Sequence, residues 1–394
     1  MLSELANPKL GSSEIGSHSA NSGDVPAVFV TYANSLSEAR GGLQICTQEY
    51  LQTIRAAGFA PSVQEFEHDR GLATRIAQRL AKPVYGRQWR PELVDDIVST
   101  ANKNEARFIF LNLVNLAPLV HPLRARLASG AKIVLLSHGL ESVDYIHTVA
   151  ARELNAMPRA RDASRLGQQF FAEYDQRRAI DHVFCLSPFE AEIERWLGAK
   201  RVTWLPRTIA KRSPLKWRPN RHRIGFVGTL DHPPNKEGLV SFLKALETKE
   251  DHELELRLIG GPPSEGRALG ARFRMVRYLG ALNDEELESE ASTWSCFVHP
   301  LFCFARGCST KLAVALGWQI PIATTPAGCR GYMWRNGSLP LADGPEELAR
   351  LTVHLTEAEA GMAARDEIKA VVESSPGIPE VAHLFRNALE LGTE

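Results

Sequence analysis

Residues 223–238 read RIGFVGTLDHPPNKEG, and this stretch is the clearest indication of the fold class. A short apolar run, 223–227, ends in a glycine turn at Gly228, and a polar loop then leads into an amphipathic run that begins at Lys236. A strand that passes through a glycine turn into a helix is the building unit of open parallel sheets. Residues 223–238 therefore predict an α/β domain with a ligand site at the carboxyl end of its first strand.

The same alternation of β-rich and amphipathic runs fills most of the chain, so two such domains are expected. Strands are predicted at 27–32, 61–66, 107–113, 132–137, 182–186 and 202–205, and then at 223–227, 254–259, 275–279, 295–299 and 320–325. Helices are predicted at 43–57, 118–128, 168–178, 188–197, 236–246, 284–290, 311–318, 345–355, 362–372 and 379–391. The predicted fold class is α/β, with two doubly wound, Rossmann-like domains facing each other across a cleft.

The chain divides along these patterns. Residues 1–25 are small, polar and aperiodic, which predicts a disordered tail. Residues 26–208 and 224–360 predict the two sheet domains, since 394 residues exceed what one core usually holds. The basic, proline-interrupted stretch 209–223 predicts a linker. Residues 361–394 predict helices that could cross back to the first domain.

Composition excludes several classes of function. The 46 basic and 46 acidic residues balance, so no overall field favours nucleic acid, and any anion site must be local. The six cysteines include no Cys-x-x-Cys pair, which argues against a zinc site and fits a reducing cytoplasm. The apolar runs are too short to span a membrane. A basic segment, 71–90, indicates either peripheral membrane contact at the inner face or a surface helix followed by a loop.

The loop VHPLFCFARGCSTKL, residues 298–312, carries the strongest functional signal. Ser309 or Thr310 can cap the following helix, whose free N–H groups would point at an anion, while Arg306 and Lys311 add positive charge. This combination predicts a cradle for a diphosphate. An ordinary capped helix with two solvated cations accounts for the same residues.

Two further glycine turns lie in the second half. Gly228 and the following Thr229 are expected at the sheet edge facing the cleft, with Lys236 able to reach a phosphate. In PAGCRGY, residues 326–332, a glycine at 331 permits a tight loop and Arg330 could meet a phosphate or a carboxylate. Tyr332 could stack on a base or fill a core.

The first half offers two candidate positions. Gly41 and Gly42 precede a helix and could let a phosphate or a sugar approach the backbone, although a plain tight turn fits equally well. His138 follows a predicted strand at the mouth of the cleft, where its imidazole could contact a sugar or an acceptor hydroxyl. A structural histidine is the alternative.

The second half resembles the retaining GT-B glycosyltransferases of the group-1, family-four-like type. The series that carries the resemblance runs in the family's order and comprises residues 224–228, 234–235, 258–261, 278–280, the helix of Lys311, residues 321–325 and 341–343. The resemblance implies a nucleotide-sugar donor bound by the C-terminal domain, a glycan, lipid-linked or small-molecule acceptor bound mainly by the N-terminal domain, and no required metal or other cofactor.

The resulting hypothesis is sugar transfer to a hydroxyl, with retention, as in the synthesis of a polysaccharide or a glycoside. The predicted catalytic residues are His138, Lys311 and Arg306. The predicted donor-binding residues lie at glycine turns or at the start of a helix: Gly41, Gly42, Gly228, Thr229, Ser309, Thr310, Arg330, Gly331 and Tyr332.

One departure from the family leaves alternatives open. The family usually carries two glutamates separated by seven residues, and Arg306 and Val314 stand at those positions here. The second glutamate normally holds the donor ribose. Thr229 likewise stands where many members have a basic residue. A non-catalytic nucleotide- or glycan-binding protein and a nucleotide-sugar epimerase or hydrolase are the alternatives.

Overall fold

The computed structural model describes residues 24–37, 41–67, 92–127, 130–150, 160–248, 253–304 and 307–390. Arg306, the segment 71–90 and nearly all of the predicted tail lie outside these residues. Val25 is an exception, because it already belongs to the first strand.

Two parallel sheets form the framework, as the alternating pattern predicted. The first has six strands in the order β2-β1-β3-β4-β5-β6: β1 (Val25–Tyr32), β2 (Phe59–Phe66), β3 (Phe108–Asn112), β4 (Lys132–Leu136), β5 (His182–Cys185) and β6 (Val202–Trp204). The second has five in the order β11-β10-β7-β8-β9: β7 (Asn220–Val227), β8 (Glu255–Ile259), β9 (Val276–Gly280), β10 (Trp294–Val298) and β11 (Ile322–Ala323). Apolar clusters cover both faces of each sheet, as expected where helices pack on both sides.

The described residues of the first domain form six α-helices: α1 (Gly42–Ala56), α2 (Glu92–Lys103), α3 (Val120–Arg126), α4 (Glu141–Ala150), α5 (Ala160–Ala179) and α6 (Pro188–Trp196). The helices that follow β7 are α7 (Pro233–Glu247), α8 (Pro263–Arg272), α9 (Asp284–Ala291), α10 (Thr310–Trp318), α11 (Pro326–Cys329), α12 (Pro345–Leu355), α13 (Ala358–Ser374) and α14 (Ile378–Glu390). Within the described residues, no helix is long and apolar enough to cross a membrane.

Several elements differ from the sequence prediction. Helices α2, α4 and α8 were not predicted; α8 contains two glycines and buries only Gly266 and Leu269, so its apolar period is weak. The predicted linker 209–223 is too long, because β7 already begins at Asn220. The predicted strand 320–325 shrinks to Ile322–Ala323, since Thr325 instead caps α11.

The last helix, α14, packs on the first domain rather than on the second. The Phe385 ring lies 4.3 Å from the Phe184 ring and 5.9 Å from the Phe59 ring, measured between centroids. Arg386 also donates a hydrogen bond of 3.1 Å to the carbonyl of Ala57. The chain therefore passes between the domains twice, once at residues 205–219 and once before α14, which ties the two sheets together.

Candidate functional site

A cavity of about 400 Å³ lies between the two domains, at the carboxyl ends of their strands. This interdomain cavity is where α/β folds place ligands. Residues from both domains line it, including Tyr32, Asn34, Gly42, Asn115, His138 and Glu141 from the first, and His232, Gly307 and Cys308 from the second.

The start of α10 forms one wall beside this cavity. Ser309 is the N-cap residue, but its hydroxyl does not cap the helix, so the predicted side-chain cap is wrong. The Ser309 Oγ instead lies 2.9 Å from Nε2 of His299, whose Nδ1 lies 3.1 Å from Oγ1 of Thr324. Burial, with Lys311 nearby, lowers the pKa of His299 to about 3, so its imidazole is neutral. The first N–H groups of α10 therefore remain available to a ligand.

His299 was not identified from the sequence, although it follows directly after β10 at the carboxyl edge of the sheet. Its position in the chain was a usable signal, but the two hydroxyl partners that define its role come from other segments.

Lys311 extends from α10 over the glycine turn that follows β7. A Cβ placed on Gly228 would lie 2.7 Å from the Lys311 ammonium nitrogen, and this nitrogen is 5.7 Å from the centroid of the Phe226 ring. Burial lowers the pKa of Lys311 to about 7. Among the described residues no carboxylate forms an ion pair with it. The structure thus brings together two predicted site residues and leaves a half-buried cation without a matching anion.

The start of α1 faces the start of α10 across the cleft. A Cβ on Gly42 would lie 3.7 Å from the Thr310 Oγ1, so the helices approach closely at their N-termini. Gly41 is the N-cap, and its N–H donates to the side chain of Gln44 at 3.0 Å. Two facing helix N-termini concentrate free N–H groups and positive dipole ends, which favours an anion between them.

His138 is oriented by a buried network at the end of β3. Its Nε2 lies 2.8 Å from Asn112 Oδ1, while the Asn112 amide nitrogen donates to Thr31 at 2.9 Å and to Thr47 at 3.0 Å. Because Oδ1 must act as the acceptor, the His138 proton is assigned to Nε2. The imidazole therefore reaches the interdomain cavity in a defined tautomer.

Arg330 and Tyr332 support the site rather than line it. The buried Arg330 guanidinium donates to the carbonyls of Gly307, at 2.8 Å, and Ala327, at 2.5 Å. The hydroxyl of Tyr332 donates to the Ser309 carbonyl at 2.6 Å, and burial raises its pKa. Tyr332 thus fills a core, which is one of its two expected roles, and Arg330 packs behind the loop; donor binding by either residue stays a prediction.

The remaining predicted residues lie nearby with different partners. Gly331 has φ +90°, and a Cβ there would come within 2.3 Å of the Leu186 carbonyl oxygen. Thr229 is exposed, and its carbonyl accepts a hydrogen bond of 2.9 Å from Asn235. Lys236 forms an ion pair of 2.8 Å with Glu265, which replaces its predicted phosphate contact.

Val314 lies on α10 in a second, smaller space between the domains. This cavity of about 170 Å³ is also lined by Thr310, by Gln48 and Glu49 of α1, and by Thr208. Glu49 is already engaged, since it forms an ion pair with Arg207 and accepts hydrogen bonds from Thr208. The apolar Val314 side chain therefore provides no polar contact at this point of the helix.

Residues 221–358 match the family described as glycosyl transferases group 1. This domain belongs to the group 1 glycosyltransferases. The predicted family is therefore confirmed, and so is the coarse function, sugar transfer from a nucleotide donor. No curated protein sequence matches the chain.

Solved structures of glycosyltransferases share the whole fold. Sucrose-phosphate synthase from Thermosynechococcus elongatus is 16% identical, with a TM-score of 0.62 over 93% of this chain and 100% of that one. Anabaena HepE, in complex with UDP and glucose, is 14% identical, with a TM-score of 0.57 over 93% and 100%. The lipopolysaccharide outer core galactosyltransferase WaaB is 14% identical, with a TM-score of 0.58 over 93% and 99%. The group 1 domain thus forms one half of a GT-B fold.

Proposed function

We propose that this glycosyltransferase moves a sugar from a nucleoside diphosphate donor to a hydroxyl group, with retention of anomeric configuration and without a required metal. The observation that carries the proposal is the half-buried Lys311, which has no carboxylate partner among the described residues and lies beside Gly228 at the start of α10. A diphosphate at this point would supply the missing negative charge.

In this proposal the diphosphate lies between the facing starts of α1 and α10. The free N–H groups of α10, the Thr310 hydroxyl and the Lys311 ammonium stabilise the charge that develops on the leaving group. Gly228 lets the phosphate approach the sheet, because a side chain there would collide with Lys311. Helix dipoles and a cation thus provide what a metal ion provides in other transferases.

The sugar then occupies the interdomain cavity, beside His138. The bond between the anomeric carbon and the phosphate oxygen breaks, and a bond from that carbon to the acceptor oxygen forms on the same face. The acceptor proton passes to an oxygen of the leaving phosphate. This route requires positioned cations and hydrogen-bond donors rather than a protein nucleophile. The similar structure of HepE contains UDP and glucose, which supports a donor of this class.

The acceptor is a glycan, a lipid-linked sugar or a small glycoside, and the reaction takes place in the cytoplasm. Six free thiols support a reducing compartment. Hydroxyls of such acceptors can enter from the first-domain side of the interdomain cavity, where amide and imidazole groups line the wall.

Val314 favours a second candidate function, nucleotide or glycan binding without catalysis. Its side chain is 9% exposed and offers no acceptor for ribose hydroxyls, which the family usually binds with a glutamate. In this alternative, Lys311 still binds the donor diphosphate, but the absence of a glutamate at position 314 leaves the protein without transfer activity.

Calorimetric titration with UDP, GDP, ADP, dTDP and CMP tests the proposal. We expect one diphosphate to bind, and Lys311→Ala to weaken its binding about 10- to 100-fold, because a charge-assisted contact is lost. Lys236→Ala removes another lysine of the same domain that is paired with Glu265, so it should leave affinity unchanged. If no nucleotide binds the wild type, the transferase proposal fails; binding without transfer to a broad acceptor panel would favour the non-catalytic function.

A further inference from the structure

A buried carboxyl of the first domain contacts the loop that leads to α10. Glu190, near the start of α6, is 2% exposed, and its backbone N–H donates to the hydroxyl of the N-cap Ser187. Its Oε1 accepts a hydrogen bond of 2.5 Å from the N–H of Gly307, which lies 117 residues further along the chain. A side chain of the first domain thus holds a backbone group of the second.

Gly307 is fixed from several directions. Its carbonyl accepts the hydrogen bond of 2.8 Å from Arg330, and its φ is +67°. A Cβ at Gly307 would lie 3.0 Å from the carbonyl oxygen of His138, so the loop also packs against the first domain beside a predicted catalytic residue. Glu190 and Arg330 therefore clamp the two polar backbone groups of one peptide segment from opposite domains.

This clamp is coupled to the start of α10. Gly307 precedes the N-cap residue Ser309 by two positions, and the Ser309 carbonyl is itself held by Tyr332. A shift of Gly307 would move the first N–H groups of α10 and the base of the Lys311 side chain. Phosphate binding at a helix N-terminus depends on such positions being fixed before the ligand arrives.

We propose that Glu190 is a positioning residue for donor binding: by holding Gly307 across the domain boundary, it fixes the start of α10 against the first domain. This inference rests on the proposed function, in which the start of α10 receives the donor diphosphate. Glu190 itself does not contact the donor.

The contact works in either protonation state. Burial raises the pKa of Glu190 to about 7, with Arg330 opposing and Glu194 reinforcing this shift. Oε2 is buried without a hydrogen-bond partner among the described atoms. A neutral carboxyl keeps one oxygen that accepts from Gly307, so an amide in its place should do the same.

Glu194 provides a matched control on the same helix. It is also fully buried, but it pairs in two hydrogen bonds, of 2.6 and 3.0 Å, with Arg177 of α5 inside the first domain. A substitution there perturbs a buried carboxylate without touching the boundary between the domains.

The experiment compares Glu190→Met, Glu190→Asp, Glu190→Gln and Glu194→Gln in the full-length protein. Hydrogen exchange of a peptide that contains Gly307 is followed by mass spectrometry, and the dissociation constant of the best-bound nucleoside diphosphate is measured by calorimetry. We expect Glu190→Met to raise both the exchange rate at Gly307 and the nucleotide dissociation constant about tenfold, because the buried N–H loses its acceptor. Glu190→Asp, whose side chain is one methylene shorter, should do the same to a smaller degree.

Glu190→Gln should keep both properties within about threefold of the wild type, and Glu194→Gln should lower the melting temperature without changing either. Unchanged exchange at Gly307 in both Glu190→Met and Glu190→Asp would overturn the inference, and so would equal loosening in Glu194→Gln. If Glu190→Met does not fold, Glu190→Asp decides. If the wild type binds no nucleotide, the proposed function fails, whereas the exchange measurement still shows whether Glu190 holds the loop.

Discussion

The two walls of the cleft are built differently. The first-domain wall consists of the glycine helix start at Gly41 and Gly42 and the oriented His138, without a lysine or arginine among its described lining residues. The second-domain wall carries Lys311 and the Ser309–His299 hydrogen bond, and it is packed against a buried loop. The second wall therefore holds a lysine in a fixed position, while the first wall permits close approach and offers polar groups that include the carboxyl of Glu141.

The difference indicates that the two walls have separate roles in binding. Charge recognition needs atoms whose positions do not change when the ligand binds, and the second wall has several backbone groups held by buried side chains. A wall of glycine and polar groups without a cation can instead adapt to different sugars and acceptors. Substitutions in the second wall should accordingly affect stability and nucleotide affinity, and those in the first wall should affect turnover.

The largest effect is expected at Gly331. Gly331→Ala combines a φ of +90° with contacts of 2.3 Å to the Leu186 carbonyl oxygen and 2.8 Å to the Cys308 Cβ, so the free energy of unfolding should fall by about 3 kcal/mol. Thermal and denaturant unfolding measure this change in the free energy of unfolding. Gly280→Ala is the control, because Gly280 has φ +80° but nothing within 4 Å, and it should cost about 1 kcal/mol. Equal losses would mean that the domain contact at Gly331 adds nothing.

His138 tests the first wall. His138→Ala should lower kcat on the order of 100-fold, because an imidazole held in place beside the reacting sugar is lost, and it should leave the nucleotide dissociation constant unchanged. Steady-state kinetics and calorimetry separate the two effects. His121→Ala, which changes an exposed histidine of the same domain paired with Asp175, is the control. Weaker nucleotide binding with an unaltered kcat in His138→Ala would contradict the separate roles of the two walls.

The lowered pKa of Lys311 predicts that nucleotide binding to the second wall depends on pH. With a pKa of about 7 in the free protein, the side chain is charged below pH 7 and mostly neutral above it. Binding a diphosphate requires the charged form, so the dissociation constant should rise by up to about tenfold per pH unit between pH 7 and 9. Lys311→Arg keeps its charge over this range and should give a flat profile. A flat profile in the wild type as well would contradict a contact between Lys311 and the diphosphate.

The smallest effect is expected at Gly42. A Cβ there would lie 3.7 Å from Thr310, an ordinary contact, and alanine favours a helix, so Gly42→Ala should change turnover by no more than about threefold. Gly228→Ala is its counterpart on the other wall, where the new methyl group must displace Lys311 and nucleotide affinity should fall about tenfold. A larger loss for Gly42→Ala than for Gly228→Ala would reverse the comparison.

Much of the fold and part of the site could be predicted from the sequence. Strand and helix periods and glycine turns are properties of neighbouring residues, so both sheets and their order along the chain were predictable. Helix α8 was missed because its sequence, PSEGRALGAR, has little apolar periodicity and becomes helical against β9. Lys311 was found because a lysine directly after the Ser309–Thr310 pair at a predicted helix start is a local pattern.

The α/β class, the two domains and a lysine at the start of the helix that follows β10 could be read from the amino-acid sequence, since each depends on local patterns along the chain. Tertiary packing alone brings Lys311 to Gly228, His299 to Ser309, and Glu190 to Gly307 across the domain boundary. It also places Arg330 and Tyr332 behind the loop. These contacts join segments of the chain that local sequence patterns do not relate. They exist because the packing of the two sheets and of α14 brings those segments together, and packing depends on the whole set of buried side chains.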